Sequence, residues 1–145
     1  MADILHDLPI AAPAARVFEM VSAPSGLDRW WSLHAEGTPE VGATYALDFG
    51  PGYEDWRARV TSCEPSRTFE LQLVTAMPDW EGTRIRFELD ATGPASTQLR
   101  FAHSGWPSAT EHYRVSSYCW AMYLRLLRRN VETGEVVPYA ERLDA

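Results

Sequence analysis

The sequence predicts an α+β fold in which one curved antiparallel β-sheet wraps around a long C-terminal α-helix, with two short helices after the first strand. Three observations predict it. Apolar residues alternate with a period of two in runs between Val41 and Phe101, and they recur every three or four residues from Thr110 to Val131. Between the alternating runs lie only short connections rich in Gly, Pro and Ser, which favour meander connectivity over helical crossovers.

A first strand is expected over Asp3 to Ile10, where Ile4, His6, Leu8 and Ile10 share one face, and Pro9 places it near a strand end or an edge. Pro13 suits the first turn of a helix, and Val17, Phe18 and Val21 give that helix an apolar stripe as far as Ala23. Ala23-Pro24-Ser25-Gly26 interrupts it. Leu27, Trp30 and Trp31 then recur at helical spacing, predicting a second short helix before Pro39.

Five or six strands follow, five of them around Tyr45-Leu47-Phe49, Trp56-Ala58-Val60, Phe69-Leu71-Leu73, Ile85-Phe87-Leu89 and Leu99-Phe101-His103. Their turns fall at Gly50-Pro51-Gly52, Glu64-Pro65-Ser66, Pro78 to Gly82 and Thr92-Gly93-Pro94. The opposite face carries Arg57, Arg59, Arg84, Arg86, Glu88 and Arg100 and can meet water, so the apolar face must be the one covered by the long helix. Thr133-Gly134 supplies that helix's stop.

A chain of 145 residues suits a single domain over 1–145, large enough to bury a core without disulfides or metal. No stretch approaches the roughly 20 apolar residues of a membrane span, and the start MADILHD has no basic segment before its apolar residues, so a cytoplasmic location is expected. The net charge of −7 repels phosphate backbones, which argues against nucleic acid as partner. All thirteen basic residues are Arg, which excludes Schiff-base and phosphate-loop lysines. Cys63 and Cys119 are far apart and form no CxxC pair. The histidines form no HxH or HExxH motif, and no GxSxG elbow occurs, so neither a metal nor any other cofactor is expected.

Four segments carry a family resemblance: IAAPAARVF over Ile10 to Phe18, GLDRWW over Gly26 to Trp31, HSGW over His103 to Trp106, and the Trp- and Leu-bearing helix from Trp120 ending in Glu-Thr-Gly at Gly134. In this order, along nearly the whole chain, they resemble the bacterial proteins grouped with the activator of Hsp90 ATPase homologue, a branch of the START-like (SRPBCC, Bet v1-like) helix-grip superfamily. That resemblance implies the helix-grip fold and a cavity between the sheet and the long helix, where related branches hold polyketides, plant hormones or lipids. Fold alone does not fix function.

Six Trp, six Tyr and five Phe supply flat apolar surface for such a cavity. Trp31, Trp56, Phe87 and Phe101, with Trp106, Tyr113 and Trp120, are the candidate ligand-binding aromatics, each weighed against plain core packing. His103 lies on the apolar face and is the candidate polar contact. It could hydrogen-bond a ligand, serve as the acid-base group of a cyclase or dehydratase, or be satisfied by local structure. His6 shares the apolar face of the first strand and completes the set. The expected activity is therefore binding of a small, mostly apolar ligand, aromatic, polyketide-like or lipid-like. The alternatives are a polyketide cyclase using His103, or an interaction module whose protein partner is a chaperone or a second copy in a homodimer.

Overall fold

A computed structural model describes residues 2–145. Its sheet is seven-stranded and antiparallel throughout, in the order β1-β7-β6-β5-β4-β3-β2. The strands are β1 (Ala2–Ile10), β2 (His34–Glu36), β3 (Thr44–Asp48), β4 (Trp56–Glu64), β5 (Thr68–Thr75), β6 (Arg84–Gly93) and β7 (Ser96–Trp106). Three helices complete the regular structure, α1 (Ala14–Ser22), α2 (Pro24–Leu27) and α3 (Glu111–Thr133), and a 3-10 helix covers Tyr139–Asp144. The chain thus has the helix-grip architecture expected of it, a curved antiparallel sheet closed by a long helix.

The alternation read from the sequence sets the layers. Trp56, Ala58 and Val60 on β4 are buried, as are Ile85, Phe87 and Leu89 on β6, while Arg57, Arg59 and Arg84 between them are exposed. Register keeps the inner face continuous, with Phe69 opposite Phe87, and Phe87 opposite Phe101. Register shifts interrupt β1, β4 and β6, and each such irregularity bends the sheet further around the helix. On the wet face Glu70 is only 8% exposed because it accepts hydrogen bonds from Arg84 (3.1 Å) and Arg86 (3.3 Å). A carboxylate buried there is tolerable only with such partners.

Helix α3 starts where the Thr110 side chain caps the Tyr113 N–H and stops at Gly134, whose φ of +80° is the left-handed conformation a glycine adopts without penalty. Trp120, Leu124, Leu127 and Val131 form its buried stripe.

Two local expectations need correction. Ala23-Pro24-Ser25-Gly26 breaks α1 but also begins α2, because Pro24 is at the first helical position, where its missing N–H costs nothing. Helix α2 then ends at Leu27, before the tryptophans expected within it: the N–H groups of Trp30, Trp31 and Ser32 all converge on the Leu27 carbonyl in a turn. Gly26 lets α2 pack onto α1, since a Cβ there would meet the Glu19 carbonyl oxygen at 2.6 Å and the Met20 Cα at 2.8 Å. The second correction is at the edges. Strand β2 makes the strands after the short helices six, the upper of the two numbers expected, and the C-terminal 3-10 helix was not expected; both are too short to show a period.

Candidate functional site

A cavity of about 360 Å³ opens between α3, the β4 end of the sheet, the β5–β6 turn and the C-terminal 3-10 helix. This volume falls within the range of small-molecule sites. Tryptophans dominate its floor. Trp31, Trp56, Trp80 and Trp120 are each at most 8% exposed. Ring centroids lie 5.2 Å apart for Trp31–Trp120 and for Trp56–Trp80, and Trp80 stacks on Trp120 at 6.0 Å and 21°. Phe49 bridges Trp31 and Trp56, 4.9 Å from each. Around the mouth Tyr53, Val115 and Leu143 keep roughly half their surface in water, so apolar surface runs from rim to floor.

Helix α3, which supplies Trp120 to this floor, also brings a different chemistry to the cavity. His112, Ser116, Cys119 and Tyr123, spaced four, three and four residues apart, share one face of the helix and line the cavity. The His112 Nδ1 lies 3.2 Å from the Asp79 carboxylate, which reaches it from the β5–β6 turn, and the His112 ring stacks on Trp80. Ser116 is 5% exposed and its side chain makes no hydrogen bond among the described residues. Burial pushes the Tyr123 hydroxyl up to about 12 and raises the Cys119 thiol above its ordinary value, so both stay protonated at neutral pH. The Trp80 indole N–H is buried without an acceptor in the protein.

The last wall is held by an anchor. Arg142, 4% exposed, donates to the carbonyls of Asp28 (2.7 Å), Val137 (3.0 Å) and Ser32 (3.1 Å). Tyr139 donates to the Phe49 carbonyl at 2.7 Å. These bonds set Tyr139 and Leu143 against the cavity.

Of the residues singled out in the sequence, Trp31, Trp56 and Trp120 line this cavity and the other six lie outside it. Phe87 and Phe101 pack on each other at 5.4 Å beneath Trp120. Trp106 is fully buried, with Tyr113 edge-on at 5.5 Å, and the Tyr113 hydroxyl donates to the Asp3 carbonyl. His6 Nε2 bonds the Ser117 carbonyl at 3.2 Å, joining β1 to α3. His103 has no exposed surface. The Trp120 indole donates to its Nδ1 (3.1 Å), so the proton resides on Nε2, which lies 2.8 Å from the Thr83 hydroxyl; that hydroxyl in turn donates to the Trp80 carbonyl. Burial, followed by the charge of His112, pushes the His103 pKa down to about 3. It is a neutral imidazole with both nitrogens occupied, and it fixes two tryptophans of the floor in place.

The sequence reading missed Trp80, His112 and Ser116. The available signal was Trp80 itself, a large apolar residue in a turn otherwise made of Pro, Asp, Glu and Gly.

A helix-grip fold with an aromatic cavity open at one end of its long helix defines the class. The chain belongs to the family described as activator of Hsp90 ATPase homolog 1-like protein, which matches residues 11–132. Among solved structures it is similar to the Aha1 dimer from Colwellia psychrerythraea, determined in solution, at 29% identity and a TM-score of 0.80, covering 93% of this chain and 99% of that one. CalU16 from Micromonospora echinospora is similar at 21% identity and a TM-score of 0.73, covering 98% of this chain and 84% of that one. DynU16, from the dynemicin biosynthetic locus, is similar at 23% identity and a TM-score of 0.75, over 92% of this chain and 48% of that one. The last two likenesses show the fold alone. Comparison with curated proteins finds no match. Among the described residues no helix is long and apolar enough to cross a membrane, and no group of three or more His, Cys, Asp or Glu side chains is arranged to hold a metal ion.

Proposed function

We propose that the protein binds a small, mostly apolar ligand, with aromatic rings favoured, in the cavity between the sheet and α3. The observation that carries this reading is the floor of four buried tryptophans beneath an open mouth. The cleft of about 360 Å³ presents a concave, largely apolar surface at the edge of the core, and such surface is characteristic of ligand-binding grooves. Flat ring faces with few competing polar groups favour a planar ligand by offset stacking and area burial. His103 serves this reading as a brace for Trp80 and Trp120, and its buried, doubly bonded imidazole does not meet the needs of an acid-base group.

Thermal-shift screening against flavonoids, aromatic polyketides, fatty acids and sterols tests the reading. A ligand at a hundred times its Kd stabilises the native state by about 2.7 kcal/mol, a Tm rise of roughly 8 °C for a chain of this length. Failure of every class to shift the transition would refute it.

A second reading concerns assembly. The Colwellia protein, similar over nearly its whole length, is a dimer. In this chain Tyr118 holds 66% of its surface in water on the outer side of α3. Pairing of that side with a second copy would cover it. Light scattering on purified protein tests this: a mass of one 16.3 kDa chain at micromolar concentration refutes it.

A further inference from the structure

We propose that Asp79, His112 and Ser116 form a polar clamp for an acidic hydroxyl, so that the ligand class of the cavity is hydroxyaromatic: phenols, naphthols and the enols of polyketide-like rings. The inference rests on the reading of the cavity as a ligand site and adds to it the end at which the ligand is held. Four observations converge on it.

The Asp79 carboxylate can only accept hydrogen bonds, so its 3.2 Å contact places a proton on His112 Nδ1. With Nδ1 committed, the nitrogen left for a ligand is Nε2, which makes no hydrogen bond among the described residues. In the neutral ring that nitrogen carries a lone pair and accepts from an O–H. The imidazole is further fixed by its stacking on Trp80, 26° from parallel, so the ring is held from its edge by Asp79 and from its face by Trp80. Such orientation of an imidazole by a carboxylate is the arrangement by which proteins present one chosen nitrogen.

Ser116 lies four residues further along α3, on the same face, and lines the same cavity. The residue is 5% exposed, and its hydroxyl makes no hydrogen bond among the described residues. A hydroxyl turned to the cavity can donate a hydrogen bond to a ligand oxygen. A phenolic O–H can answer both groups at once: it donates its proton to His112 Nε2 and accepts one from Ser116. An ether or a bare hydrocarbon cannot do the first. The ring bearing that hydroxyl then extends over the tryptophan floor. No covalent step is involved. Asp79 does not reach the ligand and is a positioning residue acting through His112.

The test measures binding of three probes, naphthalene, 2-methoxynaphthalene and 2-naphthol, by quenching of tryptophan fluorescence in the wild type and in His112→Leu, Ser116→Ala and Asp79→Asn. The wild type is expected to bind 2-naphthol about fivefold more tightly than 2-methoxynaphthalene, the equivalent of one net hydrogen bond. His112→Leu should bring that ratio close to one and Asp79→Asn should reduce it, while Ser116→Ala should weaken 2-naphthol and 2-methoxynaphthalene alike relative to naphthalene. His112 and Asp79 are partly exposed, so these variants fold; an unchanged thermal transition confirms it. Equal affinity of the wild type for the two probes overturns the clamp and leaves the cavity reading standing, as does a preference that survives His112→Leu. Binding of none of the three probes also overturns the clamp, while the cavity reading stands or falls on the thermal-shift screen.

Discussion

Lowering the pH from 7 to 5 destabilises the fold by about 2 kcal/mol through His103 alone. The imidazole is fully buried and neutral, and the tryptophan N–H aimed at its Nδ1 leaves no room for a second ring proton. Its pKa is about 3 in the folded protein, against the ordinary value of 6.5 in the unfolded chain. Between these values the unfolded state binds a proton that the folded state refuses. Stability is therefore whole above pH 6.5, falls as the pH drops through 6.5, and levels off near 3. The slope is about 1.4 kcal/mol per pH unit, and pH 5 lies about 1.5 units below the start of the fall. Urea unfolding at pH 7, 6 and 5, applied to the wild type and to His103→Gln, measures the effect. Gln retains an acceptor for Trp120 and a donor for Thr83 but does not titrate. The carboxylates and the remaining histidines are common to both proteins, so the difference in unfolding free energy should move by about 2 kcal/mol in favour of the variant between pH 7 and 5. A difference that stays constant with pH would refute the assignment of a neutral, braced imidazole.

Gly26→Ala should cost about 1–3 kcal/mol of stability, read as a lower urea midpoint at unchanged m-value, because the added methyl group meets the α1 backbone. Both thiols are pushed up by burial, so alkylation by iodoacetamide at pH 7 should be slow for Cys63 and Cys119 alike, and a cavity ligand should slow it further at Cys119 only; equal protection of the two refutes the placement of the ligand. Arg142→Met removes three carbonyl bonds from the C-terminal wall, and amide exchange at residues 139–144 should rise at least tenfold while that of β6 and β7 stays as it was.

Periodicity made the fold legible. Each long strand alternates because one face is wet and the other is packed, and α3 is patterned because a single stripe is buried, so β4, β6, β7 and α3 could be read from side chains alone. The segments that escaped are those whose conformation depends on distant partners. The three residues of β2 are extended because β3 pairs with them, and the 3-10 helix exists because Arg142 finds carbonyls more than a hundred residues away in sequence. Trp31 was taken as helical but is in the turn around the Leu27 carbonyl. The candidate site divides along the same line. Trp56 and Trp120 belong to patterned elements and were legible as inner-face aromatics. Asp79 and His112 come from a turn and a helix start 33 positions apart in sequence, and nothing local relates the two. His103 was correctly placed on the apolar face. What its spacing could not show was that Thr83 and Trp120 had already claimed both its nitrogens.

The C-terminal wall stands outside the stretch of chain that the family match covers, which stops at residue 132. Tyr139 and Leu143 contribute to the cavity from a segment tethered by Arg142 and Tyr139 to backbone carbonyls, groups that every sequence possesses. Two proteins of this architecture could therefore share every residue of the sheet and of α3 and still differ in what they admit, because the dimensions of the entrance are written in a short stretch of chain free to diverge without disturbing the core.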